Sequence, residues 1–327
     1  MSRRFGLKQI KTLLKIVIVA ACIVYIASFF YTSRSSLSIV IKLNFTTLSA
    51  LVLLWFCYML THSWRLQLIL QKCSGRKIAF WQWFKILVLG NFLNMVFSQL
   101  GNIYRGVRLK KECDISYTSY IASFASFAWM DTCMNLVLAI VIILLIEPDL
   151  KIGSFPASFL LVIICAVIVI LPVAASSLLR FIRFKNHYLD WTKSKLSQVL
   201  ATTLDNIKDV SFLLKIILLG IAVFMITVFS YHVLFAGFDM RLSLPALTVF
   251  CTLLNLSTFF VITPGNIGIQ EIAFGFISQQ FGVGMAQGIL VSIVSRIIST
   301  ALIILLGVLF GGMNVIKYRN KYVEFAK

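Results

Sequence analysis

An all-α polytopic membrane protein of about eight transmembrane helices, with one or two broken or re-entrant segments, is the fold class this sequence predicts. Three observations predict it. Hydrophobic residues make up 60% of the 327 and charged ones only 13%. Apolar runs of about 20 residues recur from end to end, and that length spans the hydrocarbon core of a bilayer. The basic residues behind the net charge of +19 cluster in the short segments between those runs. In a soluble chain such a charge would suggest nucleic acid. Between membrane spans it is the positive-inside pattern, with attraction to an anionic leaflet, and nucleic acid drops out as a partner.

By window length the spans fall at 13–31, 45–64, 80–99, 117–146, 155–176, 212–236, 244–262 and 285–311, with a shorter piece at 266–282. Residues 1–327 read as one integral membrane domain. Arg3, Arg4, Lys8, Lys11 and Lys15 precede a first run that lacks a clear small-x-small cleavage site. It reads as an uncleaved span with its N-terminus in the cytoplasm, in a multi-pass protein of the cell inner (cytoplasmic) membrane. Segments 62–79, 100–116 and 177–211 are basic and read as cytoplasmic, while 32–44 and 147–154 read as external. Since 62–79 and 100–116 flank a single apolar run yet share a side, simple alternation fails there. Either the charge rule has an exception, or 80–99, which carries Lys85 and Gly90-Asn91, enters and returns on one side. Within 177–211, Leu196, Val199, Leu200, Leu204 and Ile207 share a helical face, as in a helix lying on the inner leaflet or a soluble linker helix.

The stretch from Asn255 to Glu271 breaks an apolar segment with Pro264, Gly265, Asn266 and Gly268 and ends on a lone acid. Unpaired backbone groups cost several kcal/mol in hydrocarbon, so such a break must be buried in protein or line a wet cavity. Shifting the chain by 164 brings Asn91 onto Asn255 and Gly101-Asn102-Ile103 onto Gly265-Asn266-Ile267. The flanking spans correspond too, giving repeat-like halves of approximately 45–146 and 209–310 joined by the connection 177–211. Paired interrupted segments in two halves point to a transporter site near the membrane midplane. The halves are inverted if 80–99 returns.

Several residues could carry chemistry. The amides of Asn266, Ile267 and Gly268 after Pro264 would open a short helix, either holding a lipid phosphate or forming a plain turn between helices. Glu271, about two turns into that helix by this reading, must pair, protonate or meet water. Arg296 and Arg105 are its possible partners. Asp131 shares a span with Ser123, Ser126, Thr132 and Asn135 and either faces the same interior or makes an interhelical hydrogen bond. Arg65, Arg105, Arg108, Lys110 and Lys111 either attract a phosphorylated head group to the cytoplasmic mouth or only set topology, with Arg105 the best exception. Gly284-x-x-x-Gly288 and Gly307-x-x-x-Gly311 read as close helix packing. The three histidines and seven scattered cysteines show no metal-ligand or C-x-x-C spacing, and no cofactor or metal is expected. Nucleotide-binding and hydrolase motifs are missing, so the chain is not expected to be an enzyme.

At these residues the chain resembles the transmembrane region of lysylphosphatidylglycerol synthases, the flippase-like domain of multiple peptide resistance factors. The family's late motif looks like P-G-G-x-G-x-x-E, matched by Pro264, Gly265, Gly268 and Glu271, with Asn266 in place of the second glycine. Its early motif resembles N-x-x-x-P, then G-E or G-D, then R, matched by Asn94, Gly101 and Arg105. The proline is missing, and Asn102 stands where an acid is usual, which weakens any mechanism needing two acids. Trp64-Arg65 followed by Leu66 and Leu70 is a further likeness. The resemblance implies a flippase or transporter for an anionic or aminoacylated phospholipid or a polyprenyl-phosphate-linked lipid, partnered by a separate lipid synthase or glycosyltransferase. The alternative is a membrane-embedded transferase or accessory subunit in cell-envelope biogenesis.

Overall fold

The computed structural model describes residues 44–96, 100–181, 209–258 and 268–311. The expected first span, most of the 177–211 connection, the C-terminal tail and Pro264, Gly265, Asn266 and Ile267 lie outside them. Among the described residues the fold is all-helical apart from one two-residue hairpin. The elements are α1 (Phe45–Ser74), α2 (Phe80–Val96), α3 (Leu100–Cys113), α4 (Tyr117–Ile146), β1 (Lys151–Ile152), β2 (Phe155–Pro156), α5 (Ala157–Phe181), α6 (Val210–Ala236), α7 (Leu244–Ser257), α8 (Ile269–Gln280) and α9 (Met285–Leu309).

Local chemistry sets the helix ends. Asn44, Ser116, Asp209 and Ser243 each accept a backbone N–H from the first turn of α1, α4, α6 and α7, satisfying donors that have no partner within the helix. α1 stops at Gly75, whose φ of +66° is a left-handed backbone that glycine adopts without a Cβ penalty. α1, α4, α6 and α9 are each long and apolar enough to cross a bilayer. α4 coincides with the expected span, but α1 continues past 64 to Ser74. Arg65 is therefore not a charge of an inter-span segment; it is fully buried inside a helix.

Apart from α5, of 25 residues, the remaining helices come in short pairs. α2, α3, α7 and α8 have 17, 14, 14 and 12 residues. At ~1.5 Å per residue they reach only about 26, 21, 21 and 18 Å, short of the ~30 Å hydrocarbon core. The entry to α2 lies beside the end of α1, where Gln67 and Gln71 donate to the Ile78 carbonyl at 2.7 and 2.9 Å. The exit of α3 returns to the same end, because Arg76 pairs with Asp114 at 2.8 Å and Lys110 with Asp114 at 2.9 Å. α2 and α3 thus form a hairpin that enters and leaves at one end of the bundle. The segment 100–116, expected as a cytoplasmic loop, is largely the return limb of this hairpin. Its three basic residues past Arg105 hid an amphipathic helix whose other face is buried.

The clasp has a predictable acid response. The Lys110 hydrogen bond, then the Lys110 and Arg76 charges, hold the Asp114 carboxyl below the usual carboxylate range. A depressed value means the contribution is intact above the ordinary aspartate value of ~3.9 and is lost only on acidification below it. Hydrogen-exchange protection of 75–79 and 114–116 is expected to stay constant from about pH 8 to about pH 5.

The second hairpin enters from the opposite end. Ser243, ahead of α7, donates to Glu147 at 2.8 Å just past the end of α4, and Phe281, after α8, packs with Leu150 and Ile152. Because α4 runs from the Asp114 end to the Glu147 end, the two hairpins face each other through the bundle. Adding 164 to the bounds of α1 gives 209–238, against 210–236 for α6; α2 gives 244–260, against 244–257 for α7. α3 gives 264–277, against 269–280 for α8, and α4 gives 281–310, against 285–309 for α9. The paired elements run in opposite directions, since Lys72 at the end of α1 pairs at 2.5 Å with Asp209 at the start of α6. Each set also has its own core. One gathers Leu66, Ile69, Trp83, Leu87 and Tyr104, and the other Phe224, Tyr231, Phe235, Phe250 and Phe274.

Candidate functional site

Three buried charged centres lie within the helical bundle, each carried by a different pair of elements. The first joins α1 to α4, where Arg65 Nη1 pairs with Asp131 Oδ1. The other carboxylate oxygen accepts from Asn135 at 3.3 Å and from Asn255 of α7 at 3.1 Å. Asp131 thus bridges α4 to α1 and α7. Phe127 covers the guanidinium, with its ring centre 5.1 Å from Cζ.

The second centre is Arg105, on the return limb α3. Its Nη2 donates to Asn91 at 2.5 Å and its Nη1 to Asn102 at 3.1 Å, and the Tyr120 hydroxyl lies beside it. Arg105 is 5% exposed, and among the described residues no carboxylate pairs with it. Asn94 and Gly101 hold the limbs together. Asn94 accepts the Gly101 amide at 2.7 Å, and a Cβ on Gly101 would lie 1.8 Å from the Gly90 carbonyl oxygen. Only hydrogen fits there, which is why the backbones can cross so closely.

The third centre is in the second hairpin. Glu271 Oε1 pairs with Arg296 Nε at 2.5 Å, and Oε2 accepts the Gly268 amide at 2.6 Å. Arg296 also donates to Gln270 at 3.0 Å. The position of Glu271 corrects one expectation: it lies in the first turn of α8, not two turns in, because Gly268 has φ +86° and the helix starts after it. Its carboxylate already occupies the Gly268 amide, so that donor is not free for a phosphate. Asn266 and Ile267, the other expected donors, lie outside the described residues.

A cavity of about 170 Å³ lies between α1, α2 and α9, lined by Tyr58, His62, Asn91 and Ser299 with Trp55 and Leu302. Asn91 connects it to Arg105, and Ser299 donates to the Arg296 carbonyl of its own helix, α9, at 3.1 Å. Tyr58 stacks on His62, with ring centres 5.2 Å apart, and His62 feels the charges of Asp131, Arg65 and Arg105. The sequence reading gave His62 no role. The signal was there: positions 58, 62 and 65 recur at helical spacing on one face of α1.

The family model for the lysylphosphatidylglycerol synthase TM region matches residues 12–307. The chain belongs to that family. Membership makes it a multi-pass membrane protein of a lipid-related family, in agreement with its apolar helices. No curated protein and no solved structure matches the chain significantly. The motif residues that carry the likeness to lysylphosphatidylglycerol synthases divide their work in the structure. Gly101 and Asn94 close the first hairpin, Gly268 and Glu271 close the start of α8, and Arg105 presents charge. The asparagine at the position of the family's early acid supplies Arg105 with a neutral acceptor, and among the described residues no carboxylate pairs with that guanidinium.

Proposed function

We propose that the protein moves an anionic or aminoacylated phospholipid, or a polyprenyl-phosphate-linked lipid, across the cytoplasmic membrane, with the basic end of the bundle facing the cytoplasm. One observation carries the reading. A guanidinium buried with only neutral partners is costly in a membrane interior, and such groups mark sites that use the charge. Arg105 is that group among the described residues, and its partner Asn91 lines a small cavity that also carries Tyr58, His62 and Ser299. Broken helices in two facing repeats are how transporters place a polar site near the midplane.

In this mechanism the phosphate of the head group replaces part of the neutral shell around Arg105. The Glu271–Arg296 pair keeps the second hairpin closed until a cationic or hydroxyl part of the head group competes for the carboxylate. No bond-making step is involved, and the separate lipid synthase or glycosyltransferase that supplies the lipid would be a partner. The test is translocation of a fluorescent phosphatidylglycerol by the purified protein in liposomes. Arg105→Gln and Glu271→Gln are each expected to lower the rate by about tenfold or more, the loss of roughly one charge-assisted hydrogen bond. Wild-type rates in Arg105→Gln would reject the head-group role of Arg105.

A further inference from the structure

A second cavity, of about 300 Å³, lies between α4 and α6 and is lined almost wholly by apolar side chains, among them Trp129, Cys133, Val137 and Ile217. Val137 and Ile217 are exposed on the outer surface, so the cavity opens sideways to the bilayer. Its one charged lining residue is Arg65. The Asp131 pair uses Nη1 of that guanidinium, while Nε and Nη2 are buried and make no hydrogen bond among the described residues. Those two nitrogens form one edge of the guanidinium, with their N–H bonds side by side. That edge fits two oxygens of a single phosphate or carboxylate, whereas one ester carbonyl would leave half of it unmet.

What stands over the edge is movable. A Cβ built on Gly220 of α6 would lie 2.1 Å from Met134 Cε and 3.0 Å from Arg65 Cζ, so the missing side chain makes room for both. Methionine is unbranched and swings aside at little cost. The surroundings of the mouth are acyl chains, so an occupant that brings both an apolar tail and a phosphate is a phospholipid.

We infer that this cavity is a phospholipid-binding site separate from the hairpin site, with an acyl chain between α4 and α6 and the phosphodiester on the free edge of Arg65. Asp131 stays in place, held by Asn135 and Asn255, and Arg65 serves one anion on each edge. The inference concerns binding and holds whether or not the lipid is cargo.

The experiment is native mass spectrometry of the purified full chain titrated with phosphatidylglycerol and with diacylglycerol of the same acyl chains. Wild type is expected to hold one phosphatidylglycerol about tenfold or more tighter than diacylglycerol, as a lost bidentate contact requires. Cys133→Trp fills the cavity without touching the Arg65–Asp131 pair and is expected to weaken phosphatidylglycerol by a similar factor. Ile217→Phe fills it from the opposite wall and is expected to do the same if Cys133→Trp does not fold. Equal binding of the two lipids overturns the role of Arg65, and unchanged phosphatidylglycerol binding in both filled variants overturns the site.

Discussion

Asp131→Ala is expected to destabilise the protein by about 3–5 kcal/mol, the range for breaking a buried ion pair and leaving its partner uncompensated. The stranded group would be Arg65, which is fully buried and already has two nitrogens without hydrogen bonds. A guanidinium cannot shed its proton to escape. The reciprocal change is expected to be milder. In Arg65→Met the carboxylate keeps the amides of Asn135 and Asn255. The double variant Arg65→Met/Asp131→Leu should recover most of the loss, since apolar replacement of a buried pair is often neutral. Thermal unfolding in detergent measures all three. Equal losses for the two single variants would count against the asymmetry.

The next largest effect is expected at the crossing of α2 and α3. In Gly101→Val the new side chain begins 1.8 Å from the Gly90 carbonyl oxygen. Backbone is on both sides, so nothing can rotate away and the hairpin must open, at about 3 kcal/mol by the upper range for overpacking. Gly90→Ala makes a useful contrast. Its Cβ would meet Arg105 Nε at 2.3 Å and Cγ at 2.7 Å, side-chain atoms rather than backbone. On the proposed function that variant should lose less stability than Gly101→Val yet transport poorly, because it displaces the cation assigned to the head group. If both variants melt alike, the crossing is not what holds the hairpin.

How much of this was legible depended on whether the signal was local. Long apolar helices are local, so 117–146 and the start of 285–311 match their helices in the structure. Arg65 was misplaced because a helix that outruns the bilayer looks, by hydropathy alone, like a span followed by a basic loop. The return limb α3 was missed for a related reason: Arg105, Arg108, Lys110 and Lys111 lower its mean hydropathy, while Leu100, Tyr104, Val107 and Leu109 bury the opposite face. The offset of 164 was readable from a few matched letters, because a repeat keeps spacing when it loses identity. Pairing is long-range and was legible only where two charges stood out, as in naming Arg296 among the possible partners of Glu271. Nothing in the sequence joins Asp131 to Asn255 or aligns Tyr58 with Ser299.

The two oxygens of Asp131 answer to different parts of the molecule. Oδ1 belongs to α1 through Arg65, and Oδ2 reaches into the second hairpin through Asn255. A carboxylate is a rigid plane, so turning it to follow one partner rotates it away from the other. Any motion of α7 along its axis is therefore transmitted as a twist to the cation in α1, and an anion drawing on Arg65 tugs in return on α7. A single small acid makes the two halves mechanically aware of each other.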